Sequence, residues 1–112
     1  MTDDDRRRIW LQFHEVVNVS DRELEAWLQT AESHAVGLKP DGGESVGHAS
    51  GRQIVSLLRK PSLALTDDDY RHMRKVVGYV HRHLAQRPPG ETTETRWRYS
   101  LMNWGHDPLR PL

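Results

Sequence analysis

The chain of 112 residues has no cysteine, one phenylalanine and three lysines, and its formal net charge at neutral pH is zero. Without cysteine there is no disulfide framework and no thiolate zinc site, which suits a reducing compartment. No apolar run approaches the roughly 20 residues a membrane span needs. Met1 to Arg8 turns from acidic to basic without the apolar stretch of a signal peptide, so a soluble, cytoplasmic protein is expected. What remains is a sequence that is 36% hydrophobic and 29% charged. A chain of this size buries about two thirds of its unfolded surface, which is enough for one modest core. One domain covering residues 1–112 is therefore expected.

The zero net charge conceals a polarity. Residues 1–50 carry ten acids against five bases, a surplus of five negative charges, and residues 51–112 carry eleven bases against six acids, the reverse surplus. Such an asymmetry can orient a molecule toward an anionic partner. Equally, the two halves can fold against each other and cancel. Arginine outnumbers lysine thirteen to three, a bias that favours planar, bidentate donors.

Periodicity predicts an all-α fold, a small bundle of about five helices. Ile9, Trp10, Phe13, Val16 and Val17 fall on one stripe of a first helix that opens with acids. Ser20 and Glu23 have the spacing of a capping box and start a second helix, running to about Ser33 with Leu24, Trp27, Leu28 and Ala31 inward. His34 to Gly47, with Pro40 followed by Asp41, Gly42 and Gly43, has no period and predicts a long loop. A third helix extends from about His48 to Lys60 through Ile54, Val55, Leu57 and Leu58, and Pro61 stops it. Thr66 and the three aspartates after it start the fourth and longest helix, with Tyr70, Met73, Val76, Val77, Val80 and Leu84 on one face. Pro88 and Pro89 end it. Trp97, Leu101 and Trp104 recur at i, i+4 and i+7 before Gly105 and Pro108, predicting a short fifth helix anchored by aromatic burial.

Candidate chemistry centres on two stretches. Glu44 to Arg52 places two glycines, two serines, His48 and Arg52 at a helix start, where unpaired N–H groups and a bidentate guanidinium suit a phosphate. It lacks the Gly-Lys-Ser/Thr ending of a P-loop. The structural alternative has Ser45 or Ser50 capping the helix, Gly51 allowing close packing and Arg52 pairing with Glu44. The second stretch is the fourth helix, whose Arg71, Arg74, Lys75 and Arg82 lie off the apolar face, with His81 and His83 adding charge below a pH of about 6.5. In Arg96 to His106 arginines alternate with aromatics, a pattern used for base stacking, although Trp97 and Trp104 share the face of Leu101 and favour the core. The histidine spacings fit no zinc pair, no cofactor motif is present and no nucleophile or paired-carboxylate signature survives, so neither a metal site nor an enzyme is expected.

The strings Ser45-Val46-Gly47-His48-Ala49-Ser50-Gly51-Arg52-Gln53-Ile54-Val55, Leu65-Thr66-Asp67-Asp68-Asp69-Tyr70, Arg74 through His83 and Arg96 through Pro108 resemble the domain of unknown function family 3140. The resemblance spans nearly the whole chain. It implies a small bacterial, chiefly actinobacterial protein of a kind often labelled DNA-binding, and it carries over no catalytic residues. Residue chemistry and resemblance together predict DNA binding led by the phosphate backbone, with His48, Ser50, Arg52, Arg71, Arg74, Lys75 and Arg82 as the contact set. The competing expectation is a protein-interaction module or homodimer in which acidic and basic faces pair.

Overall fold

The computed structural model describes residues 1–37 and 41–110, so Lys39 and Pro40 of the predicted loop lie outside the described residues. The described residues form six α-helices and no strand: α1 (Asp3–Val16), α2 (Asp21–Leu28), α3 (Ala31–Ala35), α4 (Val46–Arg59), α5 (Asp67–Leu84) and α6 (Arg96–Asn103), with a 3-10 turn over Ser62–Ala64. None of these helices is long and apolar enough to cross a membrane.

Caps set most of the boundaries. Thr2, Ser20 and Thr66 each accept a hydrogen bond from the backbone N–H three residues on, while Asp5, Glu23 and Asp69 reach back to the cap N–H. These reciprocal boxes satisfy donors that a helix start otherwise leaves unpaired. The second predicted helix is in fact two. α2 ends at Leu28, and Thr30 caps a new helix by accepting from the Ser33 N–H. Ala31, expected inward, is exposed as a result, while Ser33 becomes buried. Ser45, rather than Ser50, caps α4 by accepting from the His48 N–H. At the end of α6, Gly105 adopts φ +80°. Its N–H donates to the Met102 carbonyl and that of His106 to the Leu101 carbonyl, the paired closure for which glycine is favoured.

α1 packs on α5 and α2 on α4, and α6 touches α2, α3, α4 and α5, so the last helix is the wedge that joins the two pairs. Ile9 and Phe13 of α1, Leu24 of α2, Ile54 of α4, Met73, Val76 and Val80 of α5 and Leu101 of α6 are fully buried. At about 2 kcal/mol for each large apolar side chain, this burial is the main stabilising term. Gly51 lets α4 meet α2 and α6. A Cβ there would stand 2.6 Å from the Asn103 carbonyl oxygen and 2.7 Å from Leu28 Cδ2.

One polar cluster sits inside this junction. Asn103, 1% exposed, accepts from Trp27 Nε1 at 2.7 Å and Ser33 Oγ at 2.6 Å, and donates through Nδ2 to the Ser33 carbonyl at 3.1 Å. It ties α2, α3 and α6 together. Nearby, Asn18 and Asp107 exchange two hydrogen bonds, Asn18 Nδ2 to the Asp107 carbonyl at 2.9 Å and the Asp107 N–H to Asn18 Oδ1 at 2.8 Å, which fastens the tail to the α1–α2 turn.

Candidate functional site

The acidic N-terminal half does neutralise part of the basic C-terminal half. Arg59 bonds Asp21 at 2.8 Å and Glu25 at 2.9 Å, Arg110 pairs with Glu23, and in the opposite sense Arg6 bonds Asp67 at 2.8 Å. Lys60 bonds Asp69 at 2.6 Å and Arg98 bonds Asp107 at 3.1 Å within the basic half. The remaining cations decide whether a basic surface survives.

Of the seven candidate contact residues, three are engaged inside the domain. His48 is buried, with Nδ1 2.5 Å from Glu44 Oε2 and Nε2 2.8 Å from the Leu28 carbonyl oxygen. Arg52 is exposed but holds Glu44 with Nε at 2.8 Å and Nη2 at 2.5 Å. Its guanidinium, and after it the His48 ring, draw the Glu44 carboxyl down from the usual 4.5 to about 2. Glu44 thus clamps the end of the loop onto α4. Ser50 is buried too, its Oγ 3.0 Å from His72 Nε2. That serine and histidine are adjacent, Ser50 buried and His72 half-buried.

The other four share one surface. Arg71, Arg74, Lys75 and Arg82 stand at i, i+3, i+4 and i+11 on α5, opposite the buried Met73, Val76 and Val80. All four are exposed. Arg71 bonds the exposed Asp68 one turn earlier. Arg74, Lys75 and Arg82 have no carboxylate within bonding distance among the described residues. The stripe runs about 16 Å, at 1.5 Å per residue.

Gly78 lies in the middle of this stripe. Glycine inside a helix costs about 1 kcal/mol against alanine. Here a Cβ would lie 3.0 Å from Arg82 Nη1, so the bare backbone is the surface on which the Arg82 guanidinium rests. Arg82 and Lys75 border a groove of about 380 Å³ between the start of α4, α5 and the end of α6. Ser45, Gly47 and Trp104 form its opposite wall, and no carboxylate lines it among the described residues. A stack of rings supports this floor. The Trp104 indole lies between Tyr79, with centroids 4.2 Å apart, and His72, at 6.3 Å, all nearly parallel. Burial, and secondarily the Lys75 charge, push the His72 pKa down from its ordinary value.

The expected contribution of His83 to the basic surface does not materialise. Its ring is half-buried, stacked on Tyr79 at 5.2 Å, and burial pushes its pKa down. His81 stays exposed. Of the aromatic-arginine stretch, Trp97 and Trp104 are in the core, as their spacing with Leu101 indicates. The groove itself was not legible from periodicity, because it is assembled from three helices. Its sequence signals are Gly78, a glycine in an otherwise strong helix between two cations, and the Ser45-Val46-Gly47 helix start, which lines the opposite wall.

The model of a family described as a protein of unknown function, DUF3140, matches residues 12–102. No curated protein and no solved structure matches the chain.

Proposed function

The chain belongs to the DUF3140 family, whose description assigns no activity, and from that premise we propose that it is a binding protein rather than an enzyme, one that holds DNA through the phosphate backbone along α5. The observation that carries this is the stripe itself: Arg74, Lys75 and Arg82 are exposed on one helix face and keep their charge available, while three of the seven predicted contact residues, His48, Ser50 and Arg52, are engaged by Glu44 and His72. Phosphate contacts of this kind position a duplex without reading its bases. With a net charge of zero the protein has no long-range pull on a polyanion, so binding is local and modest in strength. Arg71 extends the stripe once Asp68 is displaced.

The test is fluorescence anisotropy with a labelled duplex over a range of salt. Three phosphate contacts give a log–log slope of about −2.7, at 0.9 per neutralised phosphate. The variant Arg74→Ala/Lys75→Ala/Arg82→Ala removes only exposed side chains, so it stays folded by circular dichroism and loses binding uniformly across duplex sequences. A folded wild-type protein that leaves the duplex free at 50 mM salt overturns the proposal.

A further inference from the structure

The groove beside the stripe has chemistry that duplex backbone contacts do not use. Its polar lining is Lys75, Arg82, the Ser45, Tyr79 and Ser100 hydroxyls, Asn103 and the Trp104 indole, with no carboxylate among the described lining residues. The first-turn amides of α4 at Val46 and Gly47 add N–H groups for which a helix has no internal acceptor, at the end where its dipole is positive.

The indole is the telling group. Trp104 is 3% exposed, and a buried indole N–H ordinarily finds an acceptor. Trp27 Nε1 and Trp97 Nε1 have theirs in Asn103 Oδ1 and the His83 carbonyl. Trp104 Nε1 has none among the described residues. Nor is it walled off, since the buried unpartnered side-chain nitrogen of the described residues is His83 Nε2. It stands 3.0 Å from where a Gly47 Cβ would be. The missing side chain at Gly47 is what keeps this N–H open to the groove wall.

We propose that the groove formed by Gly47, Lys75, Arg82 and Trp104 binds a terminal phosphate monoester, either on a free nucleotide or at the 5′ end of a DNA strand. Charge selects the monoester over the backbone diester. A monoester carries about −1.5 to −2 charges at neutral pH and three acceptor oxygens, which matches two cations, an indole N–H and the helix start. A backbone diester offers one charge and two free oxygens. Size points the same way. A volume of about 380 Å³ is at the small end of ligand sites and admits a phosphate with its attached sugar, while a duplex remains outside. The proposal deepens the DNA reading and rests on it where the strand end is concerned, since Lys75 and Arg82 serve both.

The experiment follows the Trp104 indole cross-peak in ¹H–¹⁵N spectra of the full chain, titrated with adenosine 5′-monophosphate. In parallel, anisotropy compares a 5′-phosphorylated duplex with the same duplex ending in 5′-hydroxyls. The expected result is a shift of the Trp104 peak by the nucleotide and at least tenfold tighter binding of the phosphorylated duplex. Both effects are lost in Lys75→Ala/Arg82→Ala, whose changes are at the surface. Gly47→Ala loses the preference for the phosphorylated end and leaves the affinity for the hydroxyl-ended duplex unchanged. Equal affinity for the two duplexes with an unmoved indole peak overturns the groove and leaves the α5 stripe standing. A nucleotide-dependent shift with neither duplex bound supports the groove for free monoesters and removes the DNA reading. No shift and no binding removes both.

Discussion

Replacing Asn103 by alanine is expected to destabilise the fold by about 3–5 kcal/mol, and the three bonds of that amide show where the loss arises. Ser33, fully buried, loses an acceptor for its hydroxyl and a donor for its carbonyl. Each buried group left unsatisfied costs about 1–2 kcal/mol. Trp27 is only partly buried, so its N–H recovers water and forfeits the net bond, about 1 kcal/mol. Against a total stability of roughly 5–15 kcal/mol for a domain of this kind, the variant is folded but marginal. Urea unfolding followed by tryptophan fluorescence reads this as a midpoint lowered by roughly 2 M, with the slope unchanged. The double variant Ser33→Ala/Asn103→Ala sharpens the test. Removing the serine hydroxyl also removes one of the stranded groups, so the double loss falls short of the sum of the single losses by about 1 kcal/mol. A single-variant loss below about 1 kcal/mol, or strict additivity, would refute the view that this amide is the joint between α2, α3 and α6.

Gly51→Ala is expected to cost about 2–3 kcal/mol by thermal melting, because the new methyl meets the Asn103 backbone at 2.6 Å and Leu28 at 2.7 Å and one helix pair must part. Gly42→Ala, at φ +79° with nothing near its Cβ, carries only the backbone strain of about 1 kcal/mol; equal losses at the two sites would argue against close helix packing at Gly51. For Glu44, the folded carboxyl titrates at about 2 against 4.5 unperturbed. Its stabilising contribution is therefore present above pH 4.5 and is lost as the pH falls from there toward 2. Stability measured across that window in wild type and Glu44→Gln shows a smaller acid loss in the variant, whereas identical curves mean that the Arg52 clamp contributes nothing.

The helices were legible in the sequence to the extent that they obey local rules. The box at Ser20 and Glu23, the Thr66 start, the stop at Pro61 and the stripes through Phe13 and Met73 are short-range features, and α1, α4, α5 and α6 appear where those features place them. The break at Gln29 and Thr30 was missed because Ala31 continues the apolar period of α2. What ends the helix there is the Thr30 cap together with the burial of Ser33 under Asn103, a contact across 70 residues. The candidate site was legible in composition and obscure in placement. Spacing puts Arg74, Lys75 and Arg82 on one face, and the alternative in which Arg52 pairs with Glu44 is the one the fold adopts, but only the folded chain shows that His48 and Ser50 point inward. Charge counts by halves could not separate these cases, since the domain uses cations both ways.

The wedge position of α6 has a bearing on how the protein is made. Trp27 donates to a side chain 76 positions further along the chain, and α2 and α4 meet a backbone that is synthesised after both of them. During translation those helices emerge with the part of their inner faces that α6 covers still open. They stay so until the segment around Leu101 and Asn103 clears the ribosome tunnel. Completion of the core is thus a late event in synthesis.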